Sequence, residues 1–225
     1  MTGELFPREP GEVAPGAVHV PDWLGPERQR ELVAACRAWA MPPAGLRTVR
    51  LPGGGTMTAR QVCLGWHWYP YGYARTVVDG DGASVKPMPG WLADLGRAAV
   101  RAAYGDDAGH AEGPADGDPA AYDIALVNFY DADAHMGMHR DSDERSTAPV
   151  VSLSLGDTCV FRFGNTETRT RPYTDVELRS GDLMVFGGPS RLAYHGVPKV
   201  YGGTAPPELG LTGRLNITLR VSGLR

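Results

Sequence analysis

Beyond residue 105 the sequence shows no helical periodicity. Short apolar runs follow one another over residues 124–130, 150–156, 159–164, 174–178, 183–186 and 214–221, separated by turn residues such as Ser180-Gly181-Asp182 and Gly187-Gly188. The last run constrains the fold most. Arg214, Asn216, Thr218 and Arg220 alternate strictly with Leu215, Ile217, Leu219 and Val221, so an extended chain here has one polar and one apolar face. Many short strands in series predict a mainly β (α+β) antiparallel jelly roll.

The N-terminal half supplies the helices. Residues 1–16 are rich in Pro and Gly and read as an extended, partly disordered lead. A short strand is expected at 18–20. Pro26 opens a helix carrying Leu32, Val33, Cys36 and Trp39 at helical spacing, and Pro42-Pro43 stops it. Pro52-Gly53-Gly54-Gly55 reads as a turn between two strands. Trp91, Leu92, Leu95, Ala98, Ala99 and Ala102 mark a second amphipathic helix that should cover a sheet. Residues 106–119 are polar and Gly-rich and are expected to form a long loop.

The 225 residues suit one domain of generous size, and the net charge of −4 argues against a generic basic nucleic-acid binder while leaving room for a local basic groove. The three cysteines, Cys36, Cys63 and Cys159, lie far apart without a Cys-x-x-Cys, as expected of thiols packed as small apolar groups in a reducing compartment. No stretch resembles a signal peptide or a membrane span, so a soluble, cytoplasmic protein is expected.

Two segments carry chemistry. In His139-Arg140-Asp141 an extended backbone aims His139 and Asp141 at one point, giving two ligands of the mixed His/carboxylate set that suits non-haem iron(II). A third should be a distant histidine, and His195 is the sole one downstream. A lone His-x-Asp is more often a surface pair than a metal site. The polar face of 214–221 adds weight, since two arginines and an amide on one short face suit a dicarboxylate. The second segment, 63–73, packs Trp66, Trp68, Tyr69, Tyr71 and Tyr73 among Gly and Pro, with Arg47, Arg50, Arg60 and Arg75 nearby. Aromatics interleaved with arginines serve base stacking and phosphate contact, and equally a core.

Taken together, Asn128-Phe129-Tyr130, His139-x-Asp141, Ser190-Arg191-Leu192-x-Tyr194-His195-Gly196, Arg214-x-Asn216-x-Thr218-x-Arg220, Leu64-Gly65-Trp66 with Tyr73, and Pro52-Gly53-Gly54-x-Thr56-Met57 resemble the AlkB family of Fe(II)- and 2-oxoglutarate-dependent dioxygenases, closest to the bacterial alkylated-DNA repair type. The resemblance runs from about residue 17 to the C-terminus. It implies a double-stranded β-helix over 91–225, with 17–90 forming a supporting helix and a nucleotide-recognition lid. His139, Asp141 and His195 would bind iron(II). Arg214 would clamp the distal carboxylate of 2-oxoglutarate, Arg220 would lie near its chelating end, and Asn128, Tyr130 and Asn216 would complete the hydrogen bonds. O₂ is the second co-substrate. The reaction implied is oxidative loss of an N-methyl group from 1-methyladenine or 3-methylcytosine in single- or double-stranded DNA, or in RNA, by a monomeric enzyme.

For the substrate, the resemblance implies a sandwich of the base between His139 and Trp66, with Tyr73, Met57 and Asp143 around it. A hairpin arginine, Arg169 or Arg162, would reach the lesion. Arg191 either touches the substrate edge or braces its strand. Arg140 and Ser142 replace an expected glutamine and lysine, which places the departures at the substrate mouth. Two other readings compete: a 2-oxoglutarate oxygenase acting on a small molecule or protein residue, and a non-catalytic jelly-roll binding module. The second predicts a missing iron ligand or carboxylate clamp, and none is missing.

Overall fold

The computed structural model describes residues 7–105 and 122–224. It opens with a hairpin, β1 (Gly11–Ala14) and β2 (Ala17–Val20), turned on Gly16 at φ +76. A side chain there would strike the Gly187 carbonyl as well as strain the backbone. Helix α1 (Pro26–Ala40) buries Leu32, Val33 and Cys36 and stops ahead of Pro42. Strands β3 (Arg47–Arg50) and β4 (Thr56–Leu64) flank the predicted glycine turn, and β5 (His67–Tyr69) and β6 (Gly72–Ala74) make a separate small hairpin. Helix α2 (Gly90–Tyr104) buries Leu92, Ala93, Gly96, Ala99 and Val100 on one face. The strands that follow are β7 (Ile124–Tyr130), β8 (Met136–His139), β9 (Val150–Gly156), β10 (Thr158–Phe163), β11 (Thr174–Leu178), β12 (Leu183–Phe186), β13 (His195–Tyr201) and β14 (Arg214–Arg220).

These build two antiparallel sheets: an eight-stranded one in the order β1-β2-β12-β9-β14-β7-β4-β3, and a four-stranded one in the order β11-β10-β13-β8. The pleat sorts the residues of the large sheet. Leu215, Ile217 and Leu219, with Val151, Leu153, Leu183, Val185, Val127 and Val62, join Leu32, Val33, Leu92 and Ala99 of the helices in one core. The opposite face meets the small sheet, where Phe161, Phe163, Val197 and Val200 pack against Val150, Met184, Phe186 and Tyr130. The molecule is thus a jelly roll with helices laid over the outer face of its larger sheet.

Within the described part of the lead, β1 pairs with β2, and Arg8 reaches the turn before β12. Strands β1, β2, β3 and β4 are hydrogen-bonded into the large sheet, while the β5–β6 hairpin forms a small sheet of its own. The loop expected at 106–119 lies outside the described residues. The three cysteines are buried and unpaired, and burial pushes the Cys36 thiol up to about 12. Among the described residues no helix is long and apolar enough to cross a membrane.

Asp182 locks the lead to the turn. Its buried carboxylate accepts from Arg8 Nη1 at 2.7 Å and Nη2 at 2.8 Å, from the Asp22 and Arg179 amides at 3.0 Å, and meets His19 Nε2 at 2.9 Å. Burial would raise this carboxyl, but the bonds from His19 and Arg8 hold it at about 2, below its ordinary 3.8. A depressed folded value means stability that is present above pH 3.8 and lost as the pH falls through about 2, worth about 2 kcal/mol. Asp182→Asn should lower stability at pH 7 by about 2 kcal/mol in urea unfolding and flatten the acid limb of the profile. An unchanged acid limb would remove Asp182 from this role.

Candidate metal and co-substrate site

The polar face of β14 points between the sheets. Its register with its neighbours aligns Gln61 of β4, Asn128 of β7, Asn216 of β14 and Ser154 of β9 in one row across four adjacent strands. Burying such a row is costly unless its members bond one another or a ligand. Gln61 Nε2 donates to Asn128 Oδ1 at 3.0 Å, Asn216 Nδ2 to Ser152 Oγ at 2.7 Å, and Thr218 Oγ1 to Asn216 Oδ1 at 2.8 Å. Arg214 is 1% exposed and spends Nη2 on Ser154 Oγ at 3.0 Å, while its Nε and Nη1 have no partner among the described residues. Tyr130, opposite Arg214 in the ladder, lies beside it. A buried guanidinium with two idle donors is a seat for an anion.

The histidine pair comes from the small sheet. His139 ends β8, His195 begins β13, and the two are direct cross-strand partners with ring centroids 4.5 Å apart. The Nδ1–H of His139 donates to the Gly137 carbonyl at 2.9 Å, and that of His195 to the Ala193 carbonyl at 3.0 Å. These bonds fix both tautomers and leave each Nε2 lone pair free, the arrangement in which imidazoles bind metals. Asp141 lies between them, its carboxylate oxygens 3.8 Å from His139 Nε2 and 3.7 Å from His195 Nε2. The ligand atoms all lie within 4.8 Å of one another. Burial and the neighbouring His139 push His195 down to about 4, so it is neutral near pH 7. Burial would raise Asp141, but Arg220 and the two histidines hold it at about 2. One Asp141 oxygen, Oδ2, has no hydrogen-bond partner among the described residues. Two imidazoles offering Nε2, an ionised carboxylate with an idle oxygen and, among the described residues, no fourth ligand fit an iron(II) ion that keeps positions for exogenous ligands.

Asp141 is held from behind. Arg220 Nη2 lies 2.6 Å from Asp141 Oδ1, and its Nη1 donates to Glu144 Oε1 at 2.9 Å. Arg191 is buried and donates Nη1 to the Asp141 carbonyl at 2.7 Å, Nε to the Ala148 carbonyl at 2.8 Å and Nη2 to Glu144 Oε2 at 3.0 Å. Of its two expected roles, Arg191 has the bracing one, and its place among substrate contacts is corrected: every hydrogen-bonding nitrogen is engaged inside the protein.

An open cavity of about 570 Å³ leads to His139, Asp141, Asn128 and Arg220. Met57, Asp143 and Arg169 line it as expected. Arg162 does not; it forks onto Asp175 at 2.7 and 2.8 Å, which leaves Arg169 as the hairpin arginine at the mouth. Trp66 is also displaced from its expected place. It is buried with Cys63, Ile124 and Leu126, donates to Asp123 at 3.1 Å, and is capped by the Arg75 guanidinium 3.4 Å from its ring centroid. The indole on the cavity wall is Trp68, whose Nε1 donates to Asp143 Oδ2 at 2.8 Å. The reason lies in Gly65, at φ +77, where an added Cβ would sit 1.8 Å from the Asp123 carbonyl oxygen. It breaks the alternation between β4 and β5, so that Trp68 lines the cavity and Trp66, placed there by the resemblance, packs away from it. Tyr73 likewise turns inward: its hydroxyl donates to Glu144 and accepts from Arg220 Nη1 at 3.2 Å. Sequence reasoning missed Gln61, Ser152, Ser154 and Glu144, and named Trp68 only as a member of the aromatic segment. A lone amide inside the apolar part of β4 was the one available signal, for Gln61.

The comparisons agree with this geometry. Residues 16–220 match the 2OG-Fe(II) oxygenase superfamily. The chain is 35% identical over 181 residues to the Alpha-ketoglutarate-dependent dioxygenase AlkB of Escherichia coli, covering 79% of this chain and 77% of that one. It is 31% identical over 221 residues to the DNA N(6)-methyladenine demethylase ALKBH1D of Arabidopsis thaliana, covering 92% of this chain and 50% of the relative, so the chain spans about half the length of that plant protein. The solved structure of OsALKBH1 superposes with a TM-score of 0.80 at 31% identity, over 94% of this chain and 99% of that one. Metal triad, guanidinium seat, jelly roll and relatives concur: the chain belongs to the AlkB family within the 2OG-Fe(II) oxygenase superfamily.

Proposed function

We propose that this protein removes N-linked methyl groups from bases of the 1-methyladenine and 3-methylcytosine type in DNA or RNA, acting as a cytoplasmic monomer. The observation that carries the reading is the cavity: its volume suits a nucleobase, and its walls combine an indole, a carboxylate and an arginine directly above the metal triad. His139, Asp141 and His195 would hold iron(II), which with 2-oxoglutarate and O₂ would supply the oxidation that releases succinate, CO₂ and the methyl carbon as formaldehyde.

The protein's own groups do the rest. Arg214 holds the distal carboxylate of 2-oxoglutarate with its idle donors, flanked by Tyr130, and Arg220 neutralises charge beside Asp141. Asn128 and Asn216 form the polar floor. A base must leave its stack to reach this depth. Trp68 and the imidazole of His139 offer the two faces between which it lies, and Asp143, oriented by Trp68, accepts from an exocyclic amino group and favours a cationic methylated ring. Arg169 and Met57 stand at the rim, where Arg140 and Arg169 both lie over the Tyr194 ring, at 5.3 and 5.7 Å. These arginines give the acidic protein its local basic edge for phosphate.

Turnover of 2-oxoglutarate should rise severalfold when a methylated oligonucleotide is added, and turnover indifferent to nucleic acid would exclude this reading. Trp68→Ala should raise the substrate KM by about 10-fold or more, since a base–aromatic stack is worth about 1–3 kcal/mol. Trp66→Ala should instead lower stability by about 3 kcal/mol with a smaller effect on KM. Urea unfolding and oligonucleotide titrations of both variants separate the two.

A further inference from the structure

Glu144 belongs to no segment singled out by the sequence, yet its carboxylate is fully buried beside the metal site. Each oxygen takes a different guanidinium: Oε1 accepts from Arg220 Nη1 at 2.9 Å, and Oε2 from Arg191 Nη2 at 3.0 Å. The same Arg220 lies 2.6 Å from Asp141 Oδ1 through Nη2, and the same Arg191 donates to the Asp141 backbone carbonyl at 2.7 Å. The four groups close a ring that begins and ends on Asp141, with acidic and basic members alternating. The Tyr73 hydroxyl, from β6 of the small hairpin, enters the ring at Glu144 and Arg220.

We infer that Glu144 is a positioning residue that divides Arg220 between two carboxylates and so keeps Asp141 available to the metal. A guanidinium prefers to fork onto one carboxylate with two parallel bonds. Without a competitor, Arg220 would do so on Asp141 and occupy the oxygens the metal needs. Glu144 holds one arm of the fork. It also balances the second buried positive charge, Arg191, which otherwise stands uncompensated beside the site. Groups behind a metal ligand commonly alter metal affinity or activity by about 10–100-fold. This inference rests on the metal reading of the triad, not on the identity of the substrate.

The test is divalent metal binding to the intact protein without turnover, using Mn²⁺ followed by electron paramagnetic resonance, with unfolding measured in parallel. Glu144→Gln keeps the shape and removes the charge; its Mn²⁺ Kd should rise by about 10-fold or more. Glu144→Asp keeps the charge one methylene further back and should fall between it and the parent. Restored binding with restored charge is the sign of a charge effect, which a merely structural role would not produce. The inference is overturned if folded Glu144→Gln binds Mn²⁺ like the parent, or if both variants weaken binding equally. Should Glu144→Gln fail to fold, Glu144→Met takes its place: a parent-like Kd overturns the inference and a rise of about 10-fold or more sustains it. Failure of the parent itself to bind Mn²⁺ would instead overturn the metal site.

Discussion

Asp141→Ala is expected to abolish 2-oxoglutarate turnover and to weaken divalent metal binding by more than about 100-fold, beyond what loss of a mere outer partner costs. The site depends on this carboxylate for three reasons. It is the one anion among the three ligands, it has an oxygen without a hydrogen-bond partner among the described residues, and it sits within 4 Å of both imidazole Nε2 atoms at 3.8 and 3.7 Å. Two imidazoles alone make a weak, open site. His139→Ala should fail in the same way, since the geometry has no other group to replace that ligand among the described residues. Metal titration and succinate formation read both outcomes. Full turnover in either variant would sink the metal assignment.

Arg214→Met is expected to raise the KM for 2-oxoglutarate by about 100-fold, the cost of removing one partner of a buried charged pair. It should do so without destabilising the protein in the absence of co-substrate. Arg214 is 1% exposed and has two nitrogens, Nε and Nη1, without a partner among the described residues. Burying a charge with idle donors is unfavourable until an anion arrives, and a methionine of similar length lacks that cost. The expected signature is therefore opposite in sign for function and stability: a large loss of co-substrate affinity, with an unfolding midpoint equal to or above that of the parent. A variant that loses both together would mean that Arg214 is held by the fold and not kept for a ligand.

Much of this was legible in the residues. The alternation of 214–221 named both faces of β14, and both are buried: the leucines under the helices, the arginines and Asn216 between the sheets. Local pattern also placed α1, α2 and most of the strands after residue 122, each set by its own periodicity; β13 escaped it, because Gly196 and Pro198 break the alternation over 195–201. The His-x-Asp spacing and the lone downstream histidine suggested the metal triad and the resemblance to the AlkB family assigned it; the fold then pairs His139 with His195 across neighbouring strands. What escaped the sequence depends on tertiary placement. Trp66 and Trp68 differ in fate through one left-handed glycine. Glu144 takes its meaning from Arg191 across 47 positions of chain, and no local pattern marks it. The N-terminal lead looked loose because its anchor, Asp182, lies 174 residues from Arg8.

The most direct measurement is an aerobic incubation of the purified protein with iron(II), ascorbate, 2-oxoglutarate and a single-stranded oligonucleotide bearing one 3-methylcytosine, followed by mass spectrometry. The expected result is loss of one methylene mass unit, dependent on 2-oxoglutarate and absent with Asp141→Ala. An oligonucleotide of unchanged mass beside steady succinate formation, repeated with 1-methyladenine and with methylated RNA, would contradict base demethylation and point the same metal site at another class of substrate.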